Sequence, residues 1–595
     1  YFTLEDLLAI RDRLIGSVRI GGKAVGMLLA RKILEQNSNP AGINFSEILE
    51  YHDSFYIGSD VFFTFLVEND LFRLRLHMTQ DSEISREEFE EVEQKFLAGK
   101  FPEPILEQFQ NLLDYFGQAP IIVRSSSLLE DSFGNAFAGK YRSEFCANQG
   151  DFDTRMKAFL RAVKLVYASA LNPNVLSYRQ KRGLGQSDEQ MAILVQRVSG
   201  IPYQNYFFPT LAGVAFSKNL YTWSDRLDPE QGIIRMVFGL GTRAVERVGG
   251  DYPRMIAISH PLLRPEAGQK IAKYSQKMVD LIDLKANEFS SLPFHQIIPG
   301  ADYPNLFLLV STMHNNFPQD PVSNYLEGPE TDYVLTFNNL IARTDFIKII
   351  GTMLQELERA YDHPVDTEFT ASIDQDQNLK INLLQCRSLH LPDAAELVSI
   401  PENLSKKNIL FRSNRMIGAG AIQNIKYILL IDPKWYSEIK DYETKKSIGR
   451  LVGKINKHPK IIKGKIIMMG PGRWGSSNID LGINVGYADI DNASVLVEIA
   501  REEAGHSPEV SYGTHFFQDL VEAQIIFLPV YPDDPESNFN AQFFLNAPNS
   551  LKKLLPEEHN YEKIIKLIDV PAFAKGKSAQ FIANPGKRKV ICFLE

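Results

Sequence analysis

Two runs of alternating side chains, Val365 to Ile373 and Leu379 to Arg387, flank the polar stretch Gln375-Asp376-Gln377-Asn378. Alternation over this length, closed by turn-forming residues, predicts an antiparallel hairpin. If Asp374 pairs with Leu379, Glu368 falls opposite Gln385 and Asp366 opposite Arg387. Directly opposed side chains stand about 4.5–5.5 Å apart at Cβ. One face of the ribbon would then hold two carboxylates, an amide and a guanidinium. Carboxylate and amide oxygens suit Mg²⁺, which shares its shell with phosphates. Arg matches phosphate with two parallel donors. A solvated face of salt bridges fits the same pattern, and a slip of one residue would break the pairing.

Two further segments have the same character. Gly21-Gly22-Lys23 interrupts two apolar-periodic stretches, with helical spacing from Ala24 to Leu34. Glycines before a helix let backbone N–H groups approach an anion, and Lys adds charge; a plain turn is the other reading. The spacing is not that of a P-loop. Pro120-Ile121-Ile122-Val123-Arg124 reads as a strand ending in a polar loop from Ser125 to Asn135. Donors at a strand tip suit a ligand, or simply make an exposed loop.

The chain has 595 residues and a formal net charge of −9, enough for three to five domains or subdomains. A mildly acidic balance gives no general attraction to nucleic acid or anionic membrane. The lysine-rich stretches 551–575 and 574–589 read as solvated surface. Cys146, Cys386 and Cys592 are too far apart for a disulfide framework or zinc cluster, and fit a reducing compartment. The longest apolar runs are too short to span a membrane. The first residues, Tyr1-Phe2-Thr3-Leu4-Glu5-Asp6, have neither an initiator Met nor a signal-peptide pattern, as expected of a trimmed chain or a piece of a longer one. The default location is cytoplasmic.

Helices are expected over 82–116, 154–182 and 342–361. The apolar runs Ala192–Val198, Gly213–Ser217 and Ile233–Leu240 are expected in a mixed sheet.

Taken in order, the motifs resemble the nucleotide-binding domain of the phosphoenolpyruvate synthase / pyruvate phosphate dikinase family, over roughly residues 10–390. They are Gly21-Gly22-Lys23 to Leu28, Val123-Arg124-Ser125-Ser126 with Glu130-Asp131, Phe137-Ala138-Gly139-Lys140-Tyr141, Val195-Gln196-Arg197-Val198, Gly213 to Ser217, Gly239-Leu240-Gly241, Asp366-Thr367-Glu368 and Leu384-Gln385-Cys386-Arg387. The resemblance implies an ATP-grasp-type fold with ATP held between two lobes. It implies that Lys23 and Arg124, with Ser125, contact phosphates and that Glu368 and Gln385 hold Mg²⁺. Arg387 would engage the transferring phosphates, with Asp366 beside it. Gln196, Arg197 and Val198 would lie on the adenine side, and Ser125–Gly139 would be a mobile loop over the phosphates. Thr242-Arg243 stand where the family often has Glu, which leaves the contacts near there open.

The chain does not carry the family's phospho-His sequence or its pyruvate barrel. Beyond a linker at 392–404, residues 405–595 are expected to form a separate α/β domain. There Gly470-Pro471-Gly472-Arg473-Trp474-Gly475-Ser476-Ser477 suits an anionic or ring-bearing ligand. In Ser511-Tyr512-Gly513-Thr514-His515, His515 is either a phosphoryl carrier or a structural histidine. The expected architecture is therefore mixed α/β: an ATP-grasp N-terminal lobe (1–210), a C-terminal lobe (211–391), and the last domain as acceptor or carrier. The expected activity is an ATP-dependent phosphotransfer. The acceptor is either a small molecule or a His, on this chain or on a partner. A nucleotide-binding regulatory module and the ATP-binding subunit of a split synthase are the alternatives, and homo-oligomer formation stays open.

Overall fold

The computed structural model describes the chain except residues 38–39, 81–85, 132–136, 138, 186, 220, 222, 247–250, 299–301, 316, 324–325, 327–332, 375–376, 390–399, 402–403, 415–419, 477–478, 480–481, 501–513, 535–536 and 585–588. Two compact units result, Tyr1–Val245 with Asp251–Leu389, and Glu246–Gly250 with His390–Glu595. Most of the expected 392–404 linker lies outside the described residues. Among the described residues, no helix is long and apolar enough to cross a membrane. Cys146, Cys386 and Cys592 are free and buried.

In the first unit, helix α1 (Gly22–Gln36) follows Gly21, whose φ of 81° favours glycine. The helix buries Ala24, Met27, Leu28, Ile33 and Leu34, an apolar stripe at helical spacing. It lies over a five-stranded sheet in the order Leu14–Ile15, Ser54–Ile57, Met191–Arg197, Ile121–Ser127, Ser143–Cys146. The two central strands are β1 (Ile121–Ser127) and β2 (Met191–Arg197). They run antiparallel, with Arg124 opposite Leu194 and Ser127 opposite Met191. The sequence reading ended this strand at Arg124. The ladder instead continues through the three serines, because Ser125, Ser126 and Ser127 find backbone partners in Ile193, Ala192 and Met191.

A second five-stranded sheet takes strands from 211 onward. Its order is Arg254–Ala257, Ile233–Val237, β3 (Leu211–Phe216), β4 (Val365–Ile373) and β5 (Leu379–Ser388), and every pairing is antiparallel. The three apolar runs expected in one mixed sheet are thus divided, the first joining β1 and the other two this sheet. The helix Phe346–Tyr361 buries Ile349, Ile350, Met353, Leu354 and Leu357 in the same core as Phe369, Ala371 and Leu383. The expected helical stretches 82–116 and 154–182 are each two helices. They are Arg86–Ala98 with Glu103–Phe116, and Phe152–Ser169 with Pro173–Lys181. Each break precedes a proline at the start of the next helix, where the missing N–H costs nothing.

β4 and β5 form the expected hairpin, with one difference. Near the turn, Ile373, not Asp374, pairs with Leu379, and the offset persists to Phe369 opposite Leu383. The register then shifts, so that Glu368 faces Gln385 and Asp366 faces Arg387. Leu384 is the extra residue of a β-bulge, where two residues of one strand oppose one of the other. The bulge changes the phase of β5. Before it, Ile381 and Leu383 face the core; after it, Cys386 does. The opposite face therefore carries Thr370 with Asn382, Glu368 with Gln385 and Asp366 with Arg387 in succession.

The second unit is built on a parallel sheet. Strands Ile526–Val530, Val495–Ile499, Ile466–Pro471 and Tyr427–Ile431 lie side by side in parallel, and Ile565–Asp569 joins antiparallel at the edge. A four-stranded antiparallel sheet (Ile409–Ser413, Lys589–Leu594, Ala579–Asn584, Gly420–Ile425) shares its core. Both faces of the parallel strands are covered, which explains near-continuous apolar runs such as Ile466 to Met469.

Candidate functional site

In the first unit, α1, β1 and the β4–β5 hairpin bring seven charged side chains into one cluster. Lys23, in the first turn of α1, places Nζ 2.8 Å from Glu130 Oε1 and 3.5 Å from Ser125 Oγ. Its backbone is fixed from below. Ser126 Oγ accepts from the Ala24 N–H at 3.0 Å and donates to the Ile20 carbonyl at 2.7 Å. The packing leaves no room for side chains at the two glycines. A Cβ on Gly21 would sit 1.4 Å from the Ser126 carbonyl oxygen, and one on Gly22 1.8 Å from that of Glu130.

Arg124 reaches from β1 to the hairpin. Its Nη2 donates to Glu368 Oε2 at 2.7 Å and to Gln385 Oε1 at 3.1 Å, and its Nη1 to the Leu384 carbonyl at 3.3 Å. A carboxylate and an amide oxygen thus converge on one nitrogen. Gln385 Nε2 donates to Asp131 Oδ2 at 2.7 Å. Arg387 donates through Nε and Nη2 to Asp366 Oδ2 at 3.0 and 2.8 Å, and its Nη1 lies 3.5 Å from Asp131 Oδ1. The Asp131, Asp366 and Arg387 side chains are 1%, 2% and 5% exposed.

Burial at this density changes the acids. Burial pushes the Asp131 carboxyl up to about 7, with Glu130 and Glu368 acting in the same direction and Arg387 and Lys23 opposing. Burial alone would lower Arg387, but Asp366, Asp131 and Glu368 outweigh it and hold the guanidinium firmly charged.

The structure brings Lys23, Arg124, Ser125, Asp366, Glu368, Gln385 and Arg387 together. The sequence reading quoted Glu130 and Asp131 without giving them a role, although they complete the cluster. The signal was an acidic pair just beyond Val123-Arg124-Ser125-Ser126. Of the segment expected as a mobile loop over Ser125–Gly139, the first three residues belong to β1; residues 132–136 and 138 lie outside the described residues.

A model of the family described as the pyruvate phosphate dikinase, AMP/ATP-binding domain, matches residues 17–408. The chain belongs to that family. The uncharacterized phosphotransferase YvkC of Bacillus subtilis (strain 168) is 27% identical over 197 residues, covering 32% of this chain and 20% of that protein. The matched span is about a fifth of that relative's length.

Within this dikinase-family domain, Gln196, Arg197 and Val198 stand apart from the charged cluster, at the end of β2. Gln196 Nε2 lies 3.1 Å from Met27 Sδ and 3.4 Å from Ser54 Oγ, while its buried Oε1 has no hydrogen-bond partner among the described residues. Arg197 Nε donates to Asp53 Oδ2 at 2.9 Å, and the Val198 N–H donates to the Pro120 carbonyl. A cavity of about 450 Å³ opens here, lined in part by Pro120, Arg197, Val198, Ser199 and Asn382. Asn382 donates through Nδ2 to Ser199 Oγ, and its buried Oδ1 has no partner among the described residues. Asn382 is two cross-strand pairs along from Asp366 and Arg387 on the same hairpin face, and one pair from Glu368 and Gln385. At about 3.3 Å per residue, that places the cavity roughly 7 Å further along the strand than Glu368.

Arg243, in the segment that departs from the family pattern, is committed elsewhere. It pairs with Asp280 at 2.8 Å and Asp251 at 2.9 Å. In the second unit, Trp474 is fully buried, its Nε1 donating to the Val497 carbonyl and its backbone N–H to Glu498 Oε1, both at 3.2 Å. Arg473 is 3% exposed. Ser477 and Ser511 to Gly513 lie outside the described residues. His515 begins the helix His515–Glu522 and is half-buried.

Proposed function

We propose that the cluster is a Mg-ATP site and that the chain is an ATP-dependent phosphotransferase of the dikinase kind. The observation that carries this reading is the convergence of Glu368 and Gln385 oxygens on one nitrogen of Arg124. A cation-binding position made of hard oxygens, with Lys23 and Arg387 on either side, suits a magnesium-bound polyphosphate. In this reading Arg124 swings from Glu368 to the phosphates when nucleotide enters, and Glu368 and Gln385 then hold Mg²⁺. Among the described residues, no three His, Cys, Asp or Glu side chains gather as a metal group; the rest of the shell would be phosphate and water. Mg²⁺ would neutralise charge on the phosphates, while Lys23, Arg124 and Arg387 orient them.

The cavity at Arg197 and Val198 is read as the nucleoside end of the site, with Gln196 beside it on the same strand. Residues 1–210 and 211–391 are read as the two ATP-grasp lobes that grip the nucleotide, and 405–595 as the acceptor or carrier domain. The balance of the reaction is ATP plus acceptor plus water to AMP, phosphorylated acceptor and phosphate, with the β-phosphoryl passing to His515 or to another acceptor.

The test is incubation of the full chain with Mg²⁺ and ATP labelled in the β or γ position. AMP, free γ-labelled phosphate and acid-labile β-label on the protein are expected. ADP as sole product makes it a simple kinase instead. ATP that binds and is never consumed with any added acceptor makes it a regulatory module. Undiminished labelling of His515→Ala removes His515 as carrier.

A further inference from the structure

Glu189 lies outside the charged cluster, in the turn before β2, and is 1% exposed. Its carboxylate accepts from Tyr141 Oη at 2.6 Å and from Ser127 Oγ, and lies 3.9 Å from Arg179 Nε. Its own backbone is pinned, because the carbonyl accepts from Arg75 Nη2 at 3.0 Å. Ser127 is the last residue of β1, and Tyr141 stands two residues before the strand Ser143–Cys146. Between these two contacts runs the segment that presents Glu130 to Lys23 and Asp131 to Gln385 and Arg387. Inside it, the Ser127 and Glu130 backbones are joined by a turn, and Glu130 Oε2 accepts from the Ser127 N–H.

The chemistry calls for a carboxylate. Two hydroxyls from separate segments each donate, so the group between them must offer two acceptors and no donor. An amide supplies one acceptor oxygen and two donors, and a protonated acid must itself donate. Burying such a group is costly unless every lone pair is used, and Arg179 provides the nearby opposite charge.

We propose that Glu189 is a positioning residue: by tying Ser127 to Tyr141 it holds Glu130 and Asp131 where Lys23, Gln385 and Arg387 need them. Its kinetic part rests on the reading of the cluster as a Mg-ATP site; its structural part does not. The charged and titratable groups facing Glu189 are Arg179, Tyr141 and Glu130. Burial raises the Glu189 carboxyl above its usual range, Arg179 opposing and Glu130 adding to the rise. Protonation at falling pH would therefore release one of the two ties.

The variant is Glu189→Gln in the full chain, with Tyr141→Phe as a milder second change that removes one hydroxyl. Amide hydrogen exchange without nucleotide should speed up about tenfold across 128–131 in both variants, the effect of about one hydrogen bond. It should be unchanged in the Leu4–Asp12 helix and in the second unit. With Mg-ATP, kcat should fall about tenfold with little change in KM, and the acid limb of the wild-type pH profile should disappear in Glu189→Gln. Unaltered exchange across 128–131 overturns the tie, whatever the kinetics. Faster exchange with wild-type kcat overturns the positioning role. A wild-type chain that fails to bind ATP defeats the site reading alone, and exchange still decides the tie.

Discussion

Arg124 Nη1 donates to the carbonyl of Leu384, the bulged residue of β5, at 3.3 Å. The two features depend on each other. The bulge takes Leu384 out of the ladder and so leaves its carbonyl for a partner other than β4. The same bulge brings Gln385 onto the face of Glu368, and both side chains meet the other nitrogen of the same guanidinium. One arginine thus contacts both the irregularity and the groups that it re-aims.

Deleting Leu384 should give a regular ladder that keeps Glu368 opposite Gln385 and Asp366 opposite Arg387, while it removes the carbonyl that Arg124 Nη1 meets. The expected outcome is ATP binding that persists in a calorimetric titration, weakened about tenfold by the one lost hydrogen bond. A deletion variant without measurable ATP binding would sink this register and the place given to Leu384 in it.

Arg124→Ala should reduce phosphoryl transfer by about 10²–10³-fold, the usual cost of removing one charge-stabilising donor. Arg124→Lys should recover only a small part, because a point charge cannot reach Glu368, Gln385 and the Leu384 carbonyl together. Steady-state AMP or ADP formation measures both. Full activity in Arg124→Lys contradicts the forked contact.

Asp366→Asn should destabilise the first unit by about 3–5 kcal/mol, since it leaves Arg387 buried without its closest counter-charge. Urea unfolding followed by tryptophan and tyrosine fluorescence reads this. The double variant Asp366→Leu with Arg387→Met should regain most of the loss while remaining inactive. If the double variant is no more stable than the single one, the unpaired charge was not the cause.

Asp131 should make nucleotide binding proton-linked. Burial holds its carboxyl at about 7, above an ordinary Asp. The folded chain therefore keeps a proton that the unfolded chain has released, and this group's contribution to stability falls as pH rises toward about 7 and is lowest above it. Phosphates arriving beside Asp131 and drawing on Arg387 push the carboxyl further up, so binding takes up a proton at and just above neutrality. Well below pH 7 the proton is already present and the uptake vanishes. Titrations at neutral pH in buffers of different ionisation heat should give different enthalpies for the wild type and the same enthalpy for Asp131→Asn.

The pairs Glu368–Gln385 and Asp366–Arg387 were legible in the sequence, but by two offsetting departures from the actual ladder. The turn is one residue wider than the polar tract suggests, with Ile373 opposite Leu379, and the extra residue Leu384 on the other strand offsets it. Alternation alone could not locate it, because Leu383-Leu384 shows no break in hydrophobicity. Lys23 and Arg124 were readable from their glycines and serines. Asp131 was not, because its role depends on a left-handed backbone (φ 57°) that turns its carboxylate toward β5. Glu189 was invisible for a similar reason: its partners are 62 and 48 residues away, joined only by the fold of the first sheet. In the second unit, a Cβ on Gly470 would lie 3.0 Å from the buried Trp474 ring, a packing demand that composition alone could not reveal.

The phase of the hairpin is set in its middle and not at its tip. The charged pairs lie on the strand-end side of Leu384, and the pairs from Ile373–Leu379 to Phe369–Leu383 separate them from the tip. Residues added there leave the cluster's geometry unchanged. The tip is accordingly a position for a fluorophore or an affinity handle on an otherwise unaltered protein, and unchanged ATP binding after such an insertion is the measure of that independence.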